Sequence, residues 1–300
     1  MSRPQIIAST GGKGGAGKTV LSILLCRELA RMGKKVALID VDLGTPNVHT
    51  KLGLKQKDFK RQTLQRALAQ PEWLESSLIE VKSIGKRHVK GGRFSILSSL
   101  GDFDLRSFGN WDEHKQDQFY SQFKALIEHF SQLDEAASFD VVVLDTRAGI
   151  DGNVCDFCML ADDRVIFTGA EDTLREDALS LLKMLYFYDL EEDQHSSDST
   201  TTNWIVANKA DDEGQANSVS QWVVNALGKW FARRKMADRK FPRYLGWIPE
   251  IEIPREDGTL MEANDEAADR FRQLAEDLCC RDDGRGDDDI QDRYLRDLTT

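Results

Sequence analysis

Thr10-Gly11-Gly12-Lys13-Gly14-Gly15-Ala16-Gly17-Lys18-Thr19 is the stretch on which the reading of the fold turns. Taken from Gly12 to Thr19 it fits the pattern G-x-x-x-x-G-K-[ST], a glycine loop that cradles phosphate. Gly12, Gly14, Gly15, Ala16 and Gly17 let the backbone N–H groups converge on a negative charge. The helix that follows presents its N-terminus to the same charge. Lys18 is placed to reach the β- and γ-phosphates, and Thr19 to offer its hydroxyl to Mg2+. The alternative is a glycine turn with no ligand. Against it stands the order of elements: an apolar strand pattern, Ile6-Ile7-Ala8, lies before the loop and a helical pattern after it. A second lysine, Lys13, stands five residues before the usual one and sets this loop apart from the general class.

Outward from the loop, the spacing predicts a helix over residues 19–32, with Val20, Leu21, Leu24, Leu25 and Leu29 as its apolar face. Gly33 ends it. Residues 35–40 form the next strand, whose Val36-Ala37-Leu38-Ile39 is a continuous apolar run, the mark of a buried parallel strand. The same mark returns at Val141-Val142-Val143-Leu144, Arg164-Val165-Ile166-Phe167 and Trp204-Ile205-Val206-Ala207, with further strands expected at 94–97 and 245–248. Helices are expected over 119–133, 173–188, 215–231 and 261–280, the last with Ala268, Phe271, Leu274, Ala275 and Leu278 on one face. This alternation predicts an α/β fold with a mostly parallel, doubly wound central sheet flanked by helices. One domain spans residues 1–280. Residues 191–202, acidic and then Ser/Thr-rich, read as a mobile loop. Residues 281–300 read as an acidic, flexible tail in which Tyr294, Leu295 and Leu298 are the groups able to dock.

A chain of 300 residues suffices for one large domain or two small ones, and its 40% hydrophobic content can fill a core. Charged residues at 30% and a net charge of −11 indicate a soluble protein. The acidic balance argues mildly against nucleic-acid binding by the whole surface but leaves room for a local basic patch. No apolar run reaches the roughly 18 residues of a membrane-spanning helix. The chain passes from Met1-Ser2-Arg3-Pro4 straight into a strand, which leaves no room for a secretory signal. Five cysteines at irregular spacing fit a reducing, cytoplasmic setting.

A magnesium site beside phosphates needs carboxylates near neighbouring strand ends. Asp40 and Asp42 stand at the end of the second strand in Leu38-Ile39-Asp40-Val41-Asp42-Leu43-Gly44, on the same side of an extended segment. One of them can be structural while the other faces the phosphates. Asp42 also reads as a turn acid before Gly44. Asp145 ends the run Val141–Leu144, where it either faces the metal, caps the strand or pairs with Arg147.

Together these motifs resemble the ParA/MinD family of deviant Walker ATPases, within the P-loop NTPases. Lys13-Gly14-Gly15-Ala16-Gly17-Lys18-Thr19 is similar to the family's K-G-G-x-G-K-T. The resemblance implies that Lys13 reaches across a dimer to the partner's phosphates, so that two ATP molecules are held between two subunits, while Lys18 and Thr19 act in cis. It implies that Asp42 positions the attacking water, that Asp40 belongs to the magnesium-bound water network and that Asp145 lies on the magnesium side. Val206-Ala207-Asn208-Lys209 resembles the strand end whose asparagine reads adenine, and Gly246-Trp247-Ile248-Pro249-Glu250 the loop that closes over the base, with Pro249 in it. These motifs fall in family order over most of residues 4–280.

Leu43-Gly44-x-x-Asn47 and Asp145-Thr146-x-Ala148-Gly149-Ile150 point to MinD and to FlhG/FleN-like flagellar-number regulators. Arg147 departs from both, which have proline or glycine there, and Gly44-Thr45-Pro46 is standard for neither. The implied activity is Mg2+-dependent ATP hydrolysis at a low basal rate, stimulated by a protein partner. It is a switch in which ATP assembles a homodimer and hydrolysis releases it, serving division, flagellar, partition or secretion machinery. An isolated carboxylate titrates near about 4, so orienting water suits Asp42 better than taking a proton.

What the switch acts upon stays open. A peripheral membrane contact through the last helix meets Asp265, Glu266, Asp269, Glu276 and Asp277, which an anionic bilayer disfavours. Non-specific DNA contact would use Arg233, Arg234, Lys235, Arg239, Lys240 and Arg243, or Lys82, Lys86, Arg87, Lys90 and Arg93, all of which also read as solvated faces. Transient localisation at membrane or nucleoid would follow from either. Cys155-x-x-Cys158 has metal-cluster spacing but reads better as buried core, and Cys279-Cys280 has the wrong spacing. A scaffold with negligible hydrolysis is the remaining alternative.

Overall fold

In the computed structural model, the described residues are 3–15, 17–55, 59, 62–84, 87–89, 91–100, 108–193, 201–234, 236, 240–251 and 265–279. The apolar runs become parallel strands and the segments between them become helices. In chain order these are β1 (Gln5–Thr10), α1 (Lys18–Arg31), β2 (Lys35–Asp40), β3 (Ile79–Glu80) and β4 (Arg93–Leu97). Then come α2 (Glu113–His129), β5 (Val141–Asp145), α3 (Gly152–Met159), β6 (Asp163–Thr168) and α4 (Asp172–Asp193). The last are β7 (Thr202–Asn208), α5 (Glu213–Arg234), β8 (Arg243–Ile248) and α6 (Asp265–Cys279). Short helical turns at Val48–Lys51, Leu64–Ala69 and Leu74–Ser77 fill the β2–β4 connection.

The sheet runs β8-β7-β6-β1-β5-β2-β4-β3. Its neighbours are parallel except for β3, which lies antiparallel on β4. Adjacent residues of one strand face opposite sides. Ile7, Val36, Leu38 and Val143 therefore pack with Leu24 of α1 and Phe271, Leu274 and Leu278 of α6. Ile6, Ala37, Ile39, Val142 and Leu144 pack with Phe123, Cys155, Leu182 and Leu227 from α2 to α5. The doubly wound sheet expected from the alternation is the sheet observed.

Several boundaries differ from expectation. The β3 strand and a hairpin of Ser83–Ile84 with Arg87–His88 were not legible, because two-residue strands carry no periodicity. The α2 helix starts at Glu113, where the Asp112 side chain caps the Lys115 N–H. The α4 helix runs on through Asp193, and β7 already includes Thr202, so both ends of the expected loop at 191–202 belong to regular elements. One reason lies in the core. Arg164 of β6 is buried and grips Asp189 with two hydrogen bonds of 3.0 and 2.8 Å, which hold the last turns of α4 against the sheet. The apolar face of α6 is buried against α1, as a helix packed on its own domain. The tail at 281–300 lies outside the described residues.

Candidate nucleotide site

Strand register builds the site. Ser9 pairs with Asp145 across β1 and β5, and Asp40 pairs with Asp145 across β5 and β2. Paired neighbours project to the same face. Two carboxylates and a hydroxyl thus form one row at the C-terminal strand ends, beneath the first turns of α1. The Ser22 hydroxyl of α1 lies 2.7 Å from Asp145 Oδ1 and 2.6 Å from the Ser9 hydroxyl. Thr19 also donates to Asp145.

The electrostatics follow from this crowding. Burial pushes the Asp145 carboxyl up to about 6, while Ser22, Thr19 and Lys18 pull it back and Asp42 adds to the rise. Burial, and then Asp145 beside it, hold Asp40 well above the usual carboxylate range. Lys18 is itself buried, and loss of water lowers its pKa against the opposing pull of Asp145 and Asp42. Its ammonium donates to the Lys13 carbonyl at 3.1 Å. Buried carboxylates beside a hydroxyl suit a hard divalent cation that keeps several waters and shares phosphate oxygens, so this donor set fits Mg2+.

The two acids of the first loop part company. Asp40 accepts from the N–H groups of Asp42, Asn47 and Val48 at 3.2, 3.1 and 3.2 Å, and so anchors the loop that follows β2. Asp42 accepts from the Thr45 N–H at 3.1 Å at an exposed turn. In the second loop Arg147 pairs with Asp151 at 2.5 Å rather than with Asp145, and Asp151 caps α3 at Val154. The Gly149 N–H reaches the Gly11 carbonyl at 3.4 Å, tying that loop to the phosphate loop.

The glycines divide by task. Gly17 takes a left-handed φ of 79° as N-cap of α1 and offers no side-chain cap, so the first N–H groups of the helix stay open to a ligand. A Cβ on Gly14 would meet nothing within 4 Å, whereas one on Gly12 would lie 2.5 Å from the Asp177 carbonyl of α4. Gly12 is thus needed for packing as well as for loop geometry. Ala16 lies outside the described residues. Lys13 is exposed, and its ammonium donates to the Thr173 hydroxyl in the first turn of α4 at 2.9 Å.

At the other end of the site, Asn208 is buried at the tip of β7, its amide nitrogen 3.2 Å from where a Gly17 Cβ would stand. Pro249 follows β8 at the same edge, and the Lys209–Glu250 ion pair of 3.1 Å joins the two strand ends. Every described residue expected at the site therefore stands along the C-terminal strand ends. Ser9, Ser22 and Thr173 were missed. Ser22 was detectable as a hydroxyl one helical turn after Lys18, set among apolar residues; Ser9 and Thr173 carried no signal.

The surfaces expected for other partners are more dispersed. Arg93, at the start of β4, donates to the carbonyls of Ala137 and Ser138 at 2.6 and 2.7 Å. Arg234 lies over the rings of Phe187 and Trp230. Arg243 begins β8, at the opposite side of the sheet from β4, where Arg93 stands. Lys86, Lys90, Lys235 and Arg239 lie outside the described residues, as does Cys280. Among the described residues no helix is long and apolar enough to cross a membrane. Cys155 and Cys158 are buried in α3.

The model of the CobQ/CobB/MinD/ParA nucleotide binding domain matches residues 7–277. The chain belongs to this family. Within the ParA/MinD ATPases its likeness runs to MinD and FleN. The antiactivator FleN of Pseudomonas aeruginosa is 34% identical over 181 residues, 60% of this chain and 56% of FleN. The septum site-determining protein MinD of Synechocystis is 31% identical over 186 residues, 62% of this chain and 61% of that MinD. The chain thus spans less than two thirds of these relatives' length. In fold, the MinC:MinD cell division complex of Aquifex aeolicus aligns with a TM-score of 0.63 at 21% identity, covering 92% of this chain and 95% of that one. MinD of Pyrococcus horikoshii complexed with Mg-ADP aligns with a TM-score of 0.59 at 19% identity, covering 92% and 96%.

Proposed function

We propose that this ParA/MinD-type chain is an ATP-dependent dimerising switch that hydrolyses ATP slowly and thereby positions or regulates a cellular assembly. The observation that carries the reading is the divergence of the two loop lysines. Lys18 is buried beside Asp145 and serves its own site. Lys13 stands exposed, its ammonium on the Thr173 hydroxyl and away from the buried acids, which supports a role outside its own site.

The roles then follow from position. The N–H groups of Gly12 to Lys18 and the α1 N-terminus hold the phosphates. Lys18 neutralises the β- and γ-oxygens, and Asn208 with the backbone around Pro249 holds the base. Thr19 and Asp145 hold Mg2+ and its waters, with Asp40 fixing the loop beside them; bound there, Mg2+ supplies positive charge to the phosphates. Asp42 orients the attacking water. Lys13 of one subunit completes the positive field on the γ-phosphate of the other. A site that is whole only in the dimer is slow in the monomer, and this leaves turnover to be set by a protein activator. FleN's role as an antiactivator and MinD's complex with MinC support a protein partner. The setting is cytoplasmic, with membrane or nucleoid contact transient.

Sedimentation of the Lys13→Ala variant with ATP and Mg2+ tests the reading. The expected result is a monomer that still binds nucleotide. A variant that dimerises normally with ATP would overturn it.

A further inference from the structure

We propose that the C-terminal segment carrying Ile290, Tyr294, Leu295 and Leu298 docks on the outer face of α4 and α5 of its own chain, at the end away from the phosphate loop. The ground is an apolar platform beside uncompensated cations. Met184 and Phe187 of α4 lie one turn apart, and each is 36% exposed. Phe187 meets the Trp230 ring of α5 edge-on at 5.3 Å. Trp222, Ala226, Trp230 and Arg234 recur at every fourth position of α5 and so form one row along the helix. The Arg234 guanidinium lies 4.8 Å from the Phe187 ring and 5.1 Å from that of Trp230. Lys229 and Arg233 are exposed beside it. Among the described residues none of these three cations has a carboxylate partner. Exposed apolar surface rimmed by charge marks a docking site.

Charge and pattern choose the occupant. Residues 282–292 carry six aspartates against one arginine, and a segment of that charge is drawn to the cations of α5. Ile290, Tyr294 and Leu298 recur at every fourth position with Leu295 beside them. That is the spacing of an apolar helix face able to lie along two packed helices.

The segment also starts from the right end of the sheet. Gln5 Nε2, at the start of β1, donates to the Leu278 carbonyl in the last turn of α6 at 3.1 Å and to Asp163 Oδ2 at the start of β6 at 2.7 Å. Asp163 Oδ1 accepts from Trp204 Nε1 of β7 at 2.8 Å, and Arg243 of β8 lies over the Trp204 ring. Just before β8, the Lys240 carbonyl accepts from the Tyr186 hydroxyl of α4 at 2.6 Å. Tyr186 precedes Phe187 and packs on Phe231, which follows Trp230. This line of contacts runs along the N-terminal strand ends from α6 to the platform. It crosses three strand spacings, about 15 Å. The ten residues between Cys279 and Ile290 span about 33 Å when extended, more than the crossing needs. The phosphate loop lies at the opposite strand ends, so docking here leaves the nucleotide site open.

Anisotropy of a fluorescein-labelled peptide of residues 281–300, added to the full chain, tests this. Tethering gives the resident segment an effective concentration of about millimolar order. The unaltered chain is therefore expected to bind the added peptide about tenfold or more weakly than a chain carrying Tyr294→Ser and Leu298→Ser, whose face is vacated. Adding Phe187→Glu to those two substitutions should abolish binding. Adding Arg234→Glu instead should weaken it by about tenfold or more and reduce its sensitivity to salt. Both positions are exposed, and an unchanged melting temperature shows the fold intact. Equal affinity with and without the tail substitutions would overturn the proposal, as would no binding to the tail-altered chain, or binding that neither face substitution weakens. The unaltered chain should sediment as a monomer without nucleotide. Association that the tail substitutions abolish would place the segment on a neighbouring copy and overturn docking within the chain.

Discussion

The ammonium of Lys13 donates to the Thr173 hydroxyl at 2.9 Å, joining the phosphate loop to the first turn of α4. The lysine assigned to the partner subunit is therefore held by its own protomer. It must leave Thr173 before it can cross an interface. Thr173→Val keeps the shape and removes the acceptor. Dimerisation with ATP is then expected at about two- to tenfold lower protein concentration, the range of one hydrogen bond. Analytical ultracentrifugation across a protein titration reads this directly, and an unchanged midpoint would show that the contact restrains nothing.

Gly12 and Gly14 separate packing from binding. A Cβ at Gly12 would press on the Asp177 backbone at 2.5 Å, while one at Gly14 meets nothing within 4 Å. Gly12→Ala should lower the melting temperature of the nucleotide-free chain, since backbone cannot move aside as a flexible side chain can. Gly14→Ala should leave that temperature nearly unchanged and weaken nucleotide binding, because its methyl occupies the space into which phosphate must come. Thermal melts and nucleotide titrations of both variants check the split.

Arg164 and Asp189 form a buried, two-pronged pair at 3.0 and 2.8 Å. Arg164→Met leaves Asp189 unpaired and is expected to cost about 3–5 kcal/mol. Arg164→Met with Asp189→Leu replaces both charges by apolar groups and should cost clearly less. Urea denaturation of the two variants gives the comparison; a double variant as unstable as the single one would contradict the argument.

Burial pushes the Cys155 thiol up to about 12 and the Cys158 thiol up to about 11. Both stay protonated in the native chain well above the range near 8.5 where an exposed thiol ionises. Below that range the two states bind the same protons there and stability is unaffected. As pH rises from about 8.5 toward 11 the unfolded chain loses protons first, so native stability falls. Native protein at pH 8 should resist alkylation at both positions, and unfolded protein should not. Mass spectrometry of iodoacetamide-treated samples shows which; rapid native labelling of either cysteine would refute its burial.

Much of the site was legible because its parts are local. The loop proposed to bind phosphate would do so through its own backbone, and a strand, a glycine turn and a helix are enough to aim it. Asp40 and Asp145 announce themselves as acids at the ends of apolar runs. Arg164 shows the limit: it reads only as the first residue of an apolar run, and its partner Asp189 is brought to it by α4 folding back over the sheet. Asp40 and Asp42 likewise look interchangeable in sequence, and only the hydrogen bonds from Asn47 and Val48 decide that Asp40 anchors the loop.

By itself, then, the sequence determined the doubly wound sheet, the glycine loop between β1 and α1 and the acids at the ends of β2 and β5, since periodicity, glycine and strand ends act over a few residues. Tertiary structure alone decided the row of Ser9, Asp145 and Asp40 under Ser22, the docking of Lys13 on Thr173 and the turn at Lys209 that ties the ends of β7 and β8. Those relations depend on strand register and on the packing of α1, α4 and α5 against the sheet, which join residues far apart in the chain.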